Sequence, residues 1–179
     1  MPTGRGIIFF ITGAPGVGKS TTAKALANRF ERAILFDIDS FRKLVVKGLV
    51  EPSEGWNEDT TIQFHLAHIA VGQAAKTYSE AGYAVIAEQC STQESVKTFL
   101  EYAGSGQVIC LKANMETNLE RNRRRINKSF DPLDIEHFVR SLGDTMHRDF
   151  HAANFAVLDN SNLTVEEVVD EILSLQRLF

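Results

Sequence analysis

The sequence predicts an α/β fold, a parallel sheet covered by helices on both faces. Three observations predict it. Short apolar runs alternate with helical segments along the whole chain. The first run, Ile7–Thr12, has the unbroken apolar character of a strand buried on both faces. It leads directly into the glycine-rich stretch Gly13-Ala-Pro-Gly-Val-Gly-Lys19-Ser20 at the head of a helix.

After that helix, Lys19–Phe30, a second apolar run, Ala33–Phe36, ends at Asp37-Ile-Asp39. Ser40–Leu49 is expected as a helix and Val50–Asn57, with Pro52, Gly55 and Trp56, as a loop. Asp59–Ala81 is the longest helical segment; its apolar residues form two stripes, so it is expected to pack on two sides, and Gly82 ends it. Tyr83–Ala87 and Gln107–Lys112 read as strands flanking the helix Thr92–Tyr102. Met115–Ile126 is a strongly basic helix. Asp131-Pro132 supplies a cap and first-turn proline for a helix to about His147, and Phe155–Leu158 is a fifth strand. Thr164-Val-Glu-Glu167 is a capping box for a final striped helix.

A chain of 179 residues fits one domain, 1–179, with no repeat or linker to divide it. The formal charge of −4 argues against a general polyanion binder. No apolar stretch reaches the roughly 18–20 residues of a membrane span, and the N-terminus carries no signal pattern. Cys90 and Cys110 lie at the end of one apolar run and inside another, which suggests packed, reduced thiols and a cytoplasmic protein. No Cys/His spacing resembles a zinc site.

Gly13–Ser20 satisfies G-x-x-x-x-G-K-[ST] in full, between a buried strand and a helix. Glycines let the backbone wrap so that N–H groups point at phosphate oxygens, and the helix N-terminus adds partial positive charge. The nucleotide-binding segment is therefore Gly13, Ala14, Pro15, Gly16, Val17, Gly18, Lys19, Ser20 and Thr21. Lys19 is expected to reach the β- and γ-phosphates of ATP, and the Ser20 hydroxyl to join the Mg²⁺ shell. Guanine specificity is disfavoured, because Asn127-Lys128-Ser129-Phe130 breaks N-K-x-D at its last position.

Asp37 and Asp39 lie just past the second strand, where ligands bind in open parallel sheets. Strand alternation would aim both carboxylates the same way, to take a proton from an attacking hydroxyl or hold Mg²⁺ through water. The competing reading is that Asp39 caps the next helix while Asp37 is solvated. Late in the chain, Arg121 and Arg125 share one face of the basic helix and are candidates to close on the transferring phosphoryl group; a solvated basic face is the alternative.

Trp56 either walls a substrate pocket or anchors its loop by packing. His65 and His68 form a pair without a visible third ligand and are expected in a partly exposed structural role; His147 and His151 carry none.

The motifs G-A-P-G-V-G-K-S, D-I-D-S-F-R, A-V-I-A-E, L-E-R-N-R-R-R and D-N-S-N-L-T-V-E-E-V-V together resemble the small P-loop kinases. That group includes chloramphenicol phosphotransferase, shikimate and gluconate kinases and polynucleotide 5′-hydroxyl kinases, and the resemblance spans nearly the whole chain. It implies a three-layer P-loop NTPase fold with a five-stranded sheet in the order 2-3-1-4-5 and an arginine-bearing lid at about residues 115–135. It implies that Asp39 is the general base or acceptor-binding carboxylate, that Arg42 of D-x-x-R contacts the acceptor or its phosphate, and that Arg121 and Arg125 are lid arginines. One departure is Glu88-Gln89, where the group usually has Asp: Glu88 either holds Mg²⁺ through water or positions an attacking water, as an ATPase would.

The expected activity is ATP- and Mg²⁺-dependent transfer of the γ-phosphate to a hydroxyl of a small-molecule or nucleoside-like acceptor. A polynucleotide 5′-hydroxyl kinase and a nucleotide-binding ATPase or regulatory module without an acceptor stand as alternatives.

Overall fold

Alternation along the strands builds the two cores. The computed structural model describes residues 4–52, 55–123 and 136–175. The five strands are β1 (Ile8–Gly13), β2 (Ala33–Asp37), β3 (Ala84–Glu88), β4 (Gln107–Lys112) and β5 (Ala156–Asp159). They form one sheet, all pairings parallel, in the order β2-β3-β1-β4-β5. Successive side chains of a strand face opposite ways, so β1 sends Ile8 and Phe10 to one face and Phe9 and Ile11 to the other.

The first face packs on α3 (Glu58–Glu80), α4 (Gln93–Ala103) and α6 (Glu136–Ala152), through Val71, Phe99 and Phe150 among others. The second packs on α1 (Lys19–Ala27) and α7 (Val165–Leu175), through Leu26, Val169 and Ile172. Helix α5 (Met115–Arg123) follows β4. Helices α3 and α4 meet closely at Gly72, where a Cβ would stand 2.7 Å from the Phe99 carbonyl oxygen. No other residue type allows that approach.

Several expectations shift. The helix expected at Ser40–Leu49 is only α2, Ile38–Arg42, a short turn that leaves Leu44 and Val46 exposed. Asp37, not Asp39, caps it: the Asp37 carboxylate accepts from the Ser40 N–H at 3.2 Å and the Ser40 hydroxyl at 2.8 Å. With β2 ending at Asp37 and a helix beginning at Ile38, strand alternation no longer sets the direction of Asp39. Helix α6 continues past His147 to Ala152, because Phe150 is a buried core residue that holds the last turn down. The expected cap at Asp131-Pro132 lies outside the described residues.

The capping box is present: Thr164 Oγ1 accepts from the Glu167 N–H at 3.2 Å, and Glu167 Oε2 accepts from the Thr164 N–H at 2.8 Å. Cys110 is a free thiol. Among the described residues no helix is long and apolar enough to cross a membrane.

Candidate active site

Parallel strands collect their carboxyl ends on one edge of the sheet, and the chemistry-bearing residues gather there. The loop after β1 wraps Gly13–Gly18 onto the start of α1. Gly16 has φ +89°, and a Cβ there would meet the Asn118 carbonyl oxygen at 2.7 Å. The position therefore needs glycine twice over, for its backbone conformation and for the close approach of α5. Lys19 is only 6% exposed. Its ammonium donates to the carbonyls of Gly13 at 3.0 Å and Ala14 at 3.1 Å, which places the charge over the loop and leaves one of its three N–H donors outside those bonds.

Ser20, one residue on, donates its hydroxyl to Glu88 Oε1 at 2.7 Å. In the ladders Glu88 stands opposite Ile11 of β1 and Asp37 of β2, so its carboxylate lies between the phosphate loop and the acidic end of β2. Burial pushes the Glu88 pKa up, and the negative charges of Asp37 and Asp39 add to this; the Lys19 ammonium and the Ser20 hydroxyl pull it down. No cluster of three or more His, Cys, Asp or Glu side chains that could hold a metal occurs among the described residues. A paired hydroxyl and carboxylate next to a phosphate loop nevertheless fit Mg²⁺, which takes one or two protein oxygens and completes its shell with phosphate and water.

Asp39 points back toward β3. Its Oδ1 accepts from Gln89 Nε2 at 2.7 Å. Gln89 is buried, and its Oε1 accepts from the Ser91 hydroxyl at 2.9 Å. Ser91 is clamped to the end of β1, where its N–H donates to Thr12 Oγ1 at 3.1 Å. Sequence reasoning missed the roles of Thr12, Ser91 and Gln89; Glu88-Gln89 as a departure from the usual pattern was the one available signal.

Arg121 reaches the loop indirectly. It donates to Asn160 Oδ1 at 3.2 Å and to the Asn160 carbonyl at 3.3 Å, and Asn160 Nδ2 donates to the Val17 carbonyl at 2.8 Å. Buried Asn160 thus ties the basic helix to the phosphate loop. The signal for it was the polar D-N-S-N turn after the fifth strand. Arg125 lies outside the described residues, as does the far part of the expected lid.

Arg42 is not turned toward an open pocket. It is 3% exposed, donates to the Val50 carbonyl at 2.6 Å and to Glu51 Oε2 at 2.9 Å, and lies 4.7 Å over the Phe64 ring. Trp56 covers Phe64 with ring centroids 5.2 Å apart and planes 17° apart, and its indole N–H donates to Thr61 Oγ1 at 2.9 Å. The packing reading of Trp56 therefore holds on one side of the ring, yet the residue remains 65% exposed. His68 departs from the partly exposed role expected of it. It is 1% exposed, stacked on Phe10, and bonded through both ring nitrogens, to the Phe64 carbonyl at 2.7 Å and Ser91 Oγ at 3.0 Å.

The fold recurs in solved structures. The tunicamycin resistance protein of Deinococcus radiodurans superposes with a TM-score of 0.65 at 21% identity, over 96% of this chain and 95% of that one. A gluconokinase from Sinorhizobium meliloti gives 0.68 at 18%, over 97% and 93%. Shikimate kinase from Acinetobacter baumannii, in complex with shikimate, gives 0.67 at 19%, over 97% and 93%. A comparison with curated protein sequences finds no match. These neighbours share the P-loop kinase fold, and the sheet order is the one the sequence resemblance implied. A family model described as an AAA domain matches residues 9–136, from β1 through the phosphate loop to the start of α6, and on that match the chain belongs to the AAA domain family.

Proposed function

We propose that this protein is an ATP- and Mg²⁺-dependent phosphotransferase that moves a γ-phosphate to a hydroxyl of a small-molecule acceptor. The observation that carries the reading is the meeting of three groups at one sheet edge. Lys19 sits over its loop, the Ser20–Glu88 pair lies beside it, and Asp39 is held from β3 by Gln89. A nucleotide-binding module without an acceptor would not need the third. The kinase-type fold of the neighbours supports the same reaction class, and gluconate and shikimate kinases by their names act on small hydroxyl compounds.

In this reading the loop amides of Gly13–Ser20 and the Lys19 ammonium hold the triphosphate, whose terminal phosphoryl is the group transferred. Ser20 and Glu88 are the protein oxygens for Mg²⁺; the hydrogen bond between them supports metal holding over positioning of water by Glu88. Asp39 takes the proton of the attacking hydroxyl. Arg121, held by Asn160, contributes positive charge near the loop, and Arg125, four residues on in the sequence, is assigned the same role. Arg42 acts on the acceptor through its loop, which it fixes at Val50 and Glu51. Asp37, committed to Ser40, positions α2 and through it Asp39.

The test is a screen of hydroxyl compounds, nucleosides and oligonucleotides for acceptor-stimulated ADP release, with Lys19→Ala as the blank. Stimulation by a small hydroxyl compound supports the reading. Stimulation only by oligonucleotide ends, falling steeply with salt, favours the polynucleotide kinase alternative. ADP release that no acceptor raises would sink the phosphotransferase.

A further inference from the structure

Behind Asp39 runs a chain of side chains whose hydrogens can be counted. It passes from Asp39 Oδ1 to Gln89 Nε2 at 2.7 Å, from Gln89 Oε1 to Ser91 Oγ at 2.9 Å, from Ser91 Oγ to His68 Nε2 at 3.0 Å, and from His68 Nδ1 to the Phe64 carbonyl at 2.7 Å. Gln89, Ser91 and His68 are all buried.

The two ends constrain the middle. A carbonyl only accepts, so His68 Nδ1 carries a hydrogen. An ionised Asp39 only accepts, so Gln89 turns its amide NH₂ to Asp39 and its oxygen to Ser91. That oxygen takes the one hydroxyl hydrogen of Ser91. Nothing remains for His68 Nε2 to accept, so it must donate as well. With Asp39 ionised, every bond in the chain is satisfied only when His68 is the doubly protonated imidazolium. When His68 is neutral, Ser91 donates to Nε2, the Gln89 oxygen loses its donor, and a flipped Gln89 would face the Asp39 carboxylate with an oxygen.

We propose that His68, through Ser91 and Gln89, is a positioning residue for Asp39, its second ring proton fixing the direction of the chain so that Gln89 presents a donor to the ionised carboxylate. The inference rests on reading Asp39 as the base, but the coupling it asserts is present without any substrate. Burial lowers the His68 pKa and His65 on the same helix lowers it further; the Phe64 carbonyl and the Asp39 charge from α2 raise it. Among the described residues, Asp39 and His65 are the titratable side chains that act on His68, and its contacts Phe10 from β1 and Ser91 after β3 are uncharged. The donor-complete chain therefore belongs to the acid side, and it is lost as pH rises through the lowered pKa.

The test follows the ring nitrogens of His68 by nitrogen NMR across pH in the ligand-free protein, assigned with His68→Gln. Both nitrogens are expected to be protonated at the acid end. The titration midpoint is expected to fall in Asp39→Asn, which removes the charge, and to fall in Gln89→Leu, which cuts the chain but leaves Asp39. A His68 midpoint equal to wild type in both folded variants overturns the coupling, whatever the protein phosphorylates. In turnover on the acid side, where the chain is donor-complete, Ser91→Ala is expected to lower kcat and to remove the limb along which kcat falls as pH rises through the His68 pKa, while nucleotide KM stays within about twofold. Unchanged kcat and limb in that variant overturn the positioning role even where the NMR coupling is present, whereas failure of the phosphotransferase reading itself would show as no acceptor-stimulated turnover in wild type.

Discussion

The Ser20 hydroxyl donates to Glu88 Oε1 at 2.7 Å, joining the first residues of α1 to the last residue of β3. The bond makes the phosphate loop and the acidic sheet edge one unit, and the first prediction concerns it. Glu88→Gln keeps an oxygen to accept from Ser20 but removes the buried charge. Because burial raises the Glu88 pKa from its ordinary 4.5, the folded state binds the proton more tightly than the unfolded chain. Stability then falls as pH rises through the window from 4.5 to the raised folded value. The Gln variant is expected to lose that slope, to melt no lower than wild type at neutral pH, and to lose the thermal upshift that Mg²⁺ adds in the presence of ATP. Melting curves at several pH values, with and without Mg²⁺-ATP, check all three.

Lys19→Ala removes the ammonium from the carbonyls of Gly13 and Ala14. A hydrogen bond to a charged group contributes about 1.5–3 kcal/mol, so ATP is expected to bind roughly ten- to a hundredfold more weakly. Calorimetric titration reads the change directly.

Buried Arg42 and half-buried Phe64 form a cation–π pair at 4.7 Å. A double-mutant cycle with Arg42→Met and Phe64→Leu is expected to give a coupling of about 0.5–2 kcal/mol in urea unfolding. Arg42→Ala is expected to destabilise more than Glu51→Ala. Arg42→Ala removes a buried side chain with its packing on Phe64 and both its polar bonds, whereas loss of the 38% exposed Glu51 side chain leaves Arg42 its Val50 carbonyl and the Phe64 ring.

Gly72→Ala should reveal which of two effects wins. Alanine favours a helix by about 1 kcal/mol over glycine, but its Cβ would stand 2.7 Å from the Phe99 carbonyl. Backbone cannot yield as a flexible side chain does, so net destabilisation of about 1–3 kcal/mol is expected by chemical denaturation.

Cys110 is buried, and burial pushes its thiol from 9.0 to about 12. That rise cuts the thiolate fraction at neutral pH about a thousandfold. Native protein is expected to protect Cys110 from alkylation at pH 8 and to expose it on unfolding, as peptide mass mapping of alkylated sites would show.

How much of this was legible in the sequence depends on whether the cause was local. Strand–helix alternation and the loop Gly13–Ser20 were readable because burial and phosphate geometry impose their patterns on adjacent residues. Four of the five strand ends fell one residue later than the apolar runs suggested, β4 alone ending at Lys112 as expected; ladder pairing carries β3 through the polar Glu88 opposite Ile11. The cap that the competing reading gave to Asp39 fell to Asp37, because a cap is chosen by where the strand stops, and the ladder on β3 decides that. The contacts of Asp39 with Gln89, of Arg121 with Asn160 and of His68 with Ser91 span 50, 39 and 23 residues. No spacing rule reaches so far.

The most direct measurement is phosphate transfer by Asp39→Asn to whichever hydroxyl compound stimulates ADP release in wild type. Loss of a general base predicts a fall in kcat of about 10²–10⁴-fold, with ATP affinity nearly unchanged. Turnover in the variant equal to wild type would contradict the assignment of Asp39 as the base.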